Sequence, residues 1–179
     1  MGESPLWRCP RCGQRFVARN MPHSCDVRTV DEHFAAASPA LRAAFDAFVA
    51  TAREHGDVTL NATKSRITLQ ARFRFAGVER PRRDHLVAHF VLTRPVRSPR
   101  LSRVEYVPPS YYVHKLRLHG PEEVDAELRG WLAEAYQVGL QRHVTDPDWP
   151  RERRPPDWVA VPREVAEAVA RGEDPSTVR

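Results

Sequence analysis

Lysine is almost missing from this chain: of 28 basic residues only Lys64 and Lys115 are Lys, and the other 26 are Arg. That skew, with abundant Ala and Pro, is what a GC-rich genome writes, so part of the net charge of +5 reflects codon usage. Glycine is scarce as well, eight in 179 residues, and neither G-x-x-x-x-G-K-[ST] nor G-x-G-x-x-G is present to cradle a phosphate. G-x-S-x-G and H-E-x-x-H are also absent, so nothing in the sequence asks for an enzyme. No apolar run approaches the roughly 20 residues that cross a bilayer. MGESPLWRCP shows no apolar stretch following a basic one. These absences remove the membrane and make a cytoplasmic location the expectation. What remains, 41% apolar and 28% charged, excludes wholesale disorder, and the length suits one domain with a small appendage.

There are only three cysteines, and all lie in the first 25 residues. An odd count in a cytoplasmic chain argues against a disulfide framework. With His23, they give C-x2-C-x10-H-x-C: Cys9, Cys12, His23 and Cys25. Four soft or borderline donors at that spacing suit one tetrahedral zinc ion, and with four protein ligands no position stays open, so the site is structural. CPRCGQRF has the form of a zinc knuckle, with Gly13 at a positive φ and Trp7 and Phe16 packing beside the metal. About 25 residues bury too little surface to fold alone, so the metal supplies the folding free energy. Two alternatives compete. Cys-Pro-Arg-Cys as a thioredoxin-like dithiol needs a preceding strand and a helix starting at the first Cys. The other is three unrelated buried thiols.

Beyond this module, taken as residues 1–28, the pattern predicts an α+β domain over 29–143 and a Pro/Arg-rich tail with a short helix over 144–179. Thr29-Val-Asp-Glu32 reads as a capping box, and Ser38-Pro39 starts a helix with Leu41, Ala44, Phe45, Phe48, Val49 and Ala52 on its apolar stripe. From Val58 the period changes to two. Residues 66–75 alternate without a miss, as one long strand or two joined at a bend. Leu86–Thr93, Leu101–Tyr106 and Tyr111–Leu118 are further strands, and Val58–Leu60 a short first one. Short connections favour antiparallel pairing. Gly120-Pro121-Glu122-Glu123 is expected to open the last main helix, with Val124, Leu128, Trp131, Leu132, Ala135 and Tyr136 buried. The tail is either flexible or laid across the domain, with Trp149 and Trp158 as tethers. The fold class is therefore α+β: a small N-terminal zinc knuckle or ribbon, then a mostly antiparallel sheet flanked by helices.

The strings W-x-C-P-x-C-G with HSC, DEHF, TKSRITLQARFRFAGV, YYVHKLRL and WLAEAYQVG resemble an uncharacterised bacterial family, the Domain of Unknown Function 5655 proteins with an N-terminal zinc module. The resemblance spans about residues 6 to 140. It implies an α+β domain without an assigned activity or catalytic residues. The domain is also distantly similar to small domains that include a frataxin-like iron chaperone, but this chain lacks the dense acidic ridge iron binding needs.

The candidate partner surface is a basic sheet face. Arg66, Arg72 and Arg74 share the polar side of one segment, and Lys115 and Arg117 that of another. If these sides coincide, five cations favour a phosphate-bearing partner, with nucleic acid the first expectation. Tyr106, Tyr111 and Tyr112 would add stacking or serve as packing. The alternative is a small-molecule or enzymatic pocket where Lys64, Arg66 and His114 converge. A further alternative is an adaptor that docks a protein through the zinc module or tail. A solvated Arg-rich face and core histidines (His89, His114) are the structural readings of the same residues.

Overall fold

The computed structural model describes residues 5–19 and 21–174; residues 1–4, read above for a leader, and 175–179 of the tail lie outside the described residues. The two short strands β1 (Trp7–Arg8) and β2 (Arg15–Phe16) form a hairpin. Helix α1 (Val30–Phe34) starts at the expected capping box: Thr29 Oγ1 accepts from Glu32 N–H at 3.1 Å, and Glu32 accepts from Thr29 N–H at 2.6 Å. Helix α2 (Pro39–Arg53) follows the Ser38 cap and buries the whole predicted stripe.

Six strands then build the main sheet: β3 (Thr59–Ala62), β4 (Arg66–Gln70), β5 (Arg74–Glu79), β6 (Leu86–Leu92), β7 (Leu101–Val107) and β8 (Tyr111–Leu118). Their order is β3-β4-β5-β6-β8-β7 and all pairings are antiparallel. β8 thus inserts between β6 and β7. The alternating 66–75 segment is two strands: the chain turns at 71–73, and the register shifts between Leu69 and Gln70. Phe75 and Ala76 are consequently both buried, which alternation alone does not allow.

One face of the sheet packs against α2 and α3 (Ala126–Gly139). Gly120–Glu123 does not open α3. Pro121–Glu123 is a separate 3₁₀ turn, and the Asp125 carboxylate caps the helix by accepting from Leu128 N–H at 3.0 Å. The expected stripe from Val124 to Tyr136 is buried as predicted. After α4 (Arg142–Thr145) the tail lies across the domain. Thr93 Oγ1 accepts from Trp149 Nε1–H at 2.8 Å, and α5 (Arg163–Ala170) packs Val165 with Val104, Tyr106 and Tyr112. Ala160 N–H donates to Val104 O at 2.9 Å and its carbonyl accepts from Tyr106 N–H at 2.8 Å, so the tail adds a parallel bridge to the β7 edge. Among the described residues no helix is long and apolar enough to cross a membrane.

His114 belongs to this core. It is fully buried, stacks on Phe90 at 4.9 Å with Phe90 in turn on Trp131 at 5.2 Å, and accepts from Val96 N–H at 3.0 Å. Burial drives its pKa down to about 4. A histidine ordinarily titrating near 6.5 then binds fewer protons folded than unfolded, so its contribution is full above that pH and is lost as pH falls toward 4. Urea unfolding of the wild type should lose about 3 kcal/mol between pH 6.5 and 4 through this group alone. His114→Gln, read by the same midpoints, should flatten that part of the profile.

Candidate metal centre

The four N-terminal donors come from two pieces of chain that meet. Cys9 and Cys12 sit on the turn joining β1 to β2. Cys9 N–H donates to Gln14 O and Gly13 N–H to Cys9 O, both at 2.9 Å, and Gly13 takes φ +74°, a left-handed conformation that glycine adopts without cost. His23 and Cys25 arrive on the segment returning toward α1. The four donor atoms all lie within 4.8 Å of one another. His23 Nδ1–H donates to Met21 O at 2.9 Å, which aims Nε2 at the sulfurs.

These separations test whether a metal fits. Tetrahedral bonds of about 2.3 Å to sulfur and about 2.0 Å to nitrogen place two sulfurs about 3.8 Å apart and sulfur about 3.5 Å from nitrogen. Cys9 and Cys25 Sγ are 3.9 Å apart, and Cys25 Sγ is 3.4 Å from His23 Nε2. The four residues are fit to bind a metal ion. Electrostatics agrees. Backbone N–H groups, that of Cys12 foremost, lower the Cys9 thiol to about 6, whereas burial and the neighbouring sulfurs raise that of Cys25. Three thiolates so close together need a cation between them. The dithiol reading fails on local structure, because Cys9 opens a turn into β2 rather than a helix.

Trp7, Phe16 and His23 pack as a small aromatic cluster, with Phe16 and His23 centroids 4.4 Å apart. The module is fastened to the second face of the sheet. Gln70 Nε2 donates to Arg15 O at 2.7 Å, and Arg74 donates to Gln14 Oε1 at 2.8 Å while its guanidinium lies 5.0 Å over the Phe16 ring. These anchors were not foreseen: a Gln and an Arg on a strand look like solvated side chains until the module is laid over them.

The structure separates the other expected residues. Lys64 is exposed in the β3–β4 turn and Arg66 begins β4, but His114 lies on the opposite, buried face, so the Lys64–Arg66–His114 pocket does not exist. The five-cation face is also corrected. Arg66, Arg74 and Lys115 line one concavity on the second face, Arg72 sits in the β4–β5 turn, and Arg117 opens toward a neighbouring hollow with Arg100 and Asp125. Nor is the face purely basic: Lys115 pairs with Glu79 at 3.8 Å and Glu105 at 3.4 Å. Tyr106 and Tyr112 are fully buried, which removes them as stacking platforms. His89, read as a core residue alongside His114, instead lines the concavity.

Removing the metal with a chelator, or changing Cys12→Ser, should strip hydrogen-exchange protection from the amides of residues 7–25 while β6 and β8 keep theirs. Native mass spectrometry of the untreated protein should give one metal per chain. Full protection of residues 7–25 after metal removal would disprove a metal-dependent module.

A model of the family described as Domain of unknown function (DUF5655) matches residues 30–139. The match runs from the first residue of α1 to the last of α3, and so leaves out both the metal module and the tail. Comparison with curated proteins and with solved structures finds no match. On a match that spans more than half of its length, the chain belongs to the DUF5655 family.

Proposed function

We propose that this is a cytoplasmic, non-catalytic binding protein in which a structural zinc ion folds the N-terminal module and the α+β domain offers nucleic acid a cluster of cations at one end of its sheet. Zinc is favoured by the donor set. Three thiolates and an imidazole at tetrahedral separations suit it, and four protein ligands leave no open position for chemistry. The bound ion would supply charge neutralisation and cross-linking only.

The observation that carries the nucleic-acid reading is the pairing of two loops. The β3–β4 turn and the β5–β6 loop lie side by side, with Arg80 N–H donating to Ser65 O at 2.9 Å. Together they present Lys64, Arg80, Arg82 and Arg83, all exposed. Among the described residues only Arg82 of these has an ion pair, with Glu79 at 3.5 Å. Cations left without carboxylates on adjoining loops suit the regular charges of a phosphate backbone. With Tyr106 and Tyr112 buried, and the half-buried Tyr111 already stacked on Phe73 and bonded to His143, recognition would run through phosphates rather than stacked bases, and would be indifferent to sequence. A protein partner fits the tail less well, because Val159 and Val165 are already buried on β7 and β8.

Anisotropy titrations of labelled single-stranded and duplex oligonucleotides should show affinity falling steeply with salt. The double variant Arg80→Ala/Arg83→Ala should reduce the log–log slope by about one per cation removed. No binding to either oligonucleotide at about 50 mM salt would reject the reading.

A further inference from the structure

The concavity on the second face of the sheet encloses about 340 Å³. Its floor is a cross-strand row: Thr68 pairs with Gly77, Gly77 with His89, and His89 with Lys115, across β4, β5, β6 and β8. Directly paired residues project to one face, so this row faces the hollow. Gly77 leaves a gap in it. A Cβ there would stand 2.8 Å from His89 Cε1 and 2.6 Å from the Ile67 carbonyl oxygen. The glycine therefore makes the space in which the His89 ring lies across β5.

That ring has no hydrogen-bond partner among the described residues, although it lines the hollow. Burial, reinforced by the charges of Arg66 and Lys115, lowers its pKa to about 4, so it is neutral at neutral pH. Around it the charges do not balance. The two acids at the rim are already engaged: Glu79 by Lys115 and Arg82, Glu105 by Lys115 and by Arg103 at 2.7 Å. Arg66 and Arg74 face the same hollow, and neither has an ion pair among the described residues. The Arg74 Nε is buried without a partner. Two guanidiniums converging where no carboxylate meets them leave a place for an anion.

We propose that this concavity binds a phosphate monoester, its oxygens taken by Arg66, Arg74 and Lys115, with the Thr68 hydroxyl and the His89 imidazole completing the hydrogen bonds. The donors come from β4, β5, β6 and β8 rather than from one plane. That arrangement suits a tetrahedral dianion better than a planar carboxylate, which a single guanidinium fork would satisfy. The volume lies at the small end of ligand pockets and admits the phosphate with a modest organic part. The site does not rest on the nucleic-acid reading, since Lys64, Arg80 and Arg83 lie outside the hollow.

Inorganic phosphate, titrated into full-length metal-bound protein and followed by NMR, is the test. Saturable shifts should appear at the His89 ring and the Gly77 amide. Arg66→Gln, at an exposed strand end where folding is not at stake, should weaken them about tenfold or more. Gly77→Ala should abolish them. Acetate at equal ionic strength should bind about tenfold more weakly than phosphate. The proposal is overturned if no saturable shift appears at His89, if Arg66→Gln leaves the affinity unchanged, or if the shifts fall on Lys64, Arg80 and Arg83 instead. Arg80→Ala/Arg83→Ala should leave phosphate affinity intact, so failure here and failure of the nucleic-acid reading are separable.

Discussion

A six-stranded sheet has two faces to cover, and the long helices of this chain, α2 and α3, both lie on the same one. Everything on the second face answers that constraint. Where the sheet is uncovered it is lined mainly by polar residues: Arg66, Thr68, His89 and Lys115 face outward, with Val91 and Val113 half-buried among them, while Ile67, Leu69, Phe90 and Leu116 fill the core behind. Where it is covered, the cover is the metal module, too small to have an apolar core of its own. One hydrophobic layer and one small Cys/His module make a two-sided structure from a chain with helices for one side.

The seam between cover and sheet is polar and specific. Gln70 reaches Arg15 O, Arg74 reaches Gln14, and Asn61 holds Gln70 through a 2.8 Å bond between their side-chain amides. Arg74 also lies over Phe16, so the same guanidinium belongs to the module, the sheet and the hollow. Such bonds give direction where an apolar contact would give only area. They hold the module at one end of the second face and leave the rest of it open.

How much of this was legible depended on how local each signal is. The donor spacing from Cys9 to Cys25, the capping box at Thr29 and the α2 stripe are set by residues a few positions apart, and all three appear as read. His89 and His114 show where local reading stops. Leu86–Thr93 is apolar on both parities, so nothing within it says which way His89 points; the answer lies in its register with β8, which sets His89 beside Lys115 and Phe90 beside His114. The same is true of residues 66–75. A register shift at Leu69/Gln70 is invisible in a perfect alternation, and so is the turn that takes Arg72 away from Arg66 and Arg74, which share one concavity. Pro121 offered a helix start that Asp125 takes instead, because only the aspartate can accept the N–H of Leu128.

The single bridge made by Ala160 has a bearing on solubility. β7 is an edge strand, and an edge with free N–H and C=O groups is a template for another chain. Here the backbone of the tail satisfies Val104 and Tyr106, and Arg28 N–H donates to Ala62 O on the opposite edge at 2.9 Å. Both ends of the sheet are thus stoppered by segments that lie outside the family match. A chain cut back to that match would keep the helices and the sheet but lose both stoppers, and its natural fate would be to stack edge to edge with its copies.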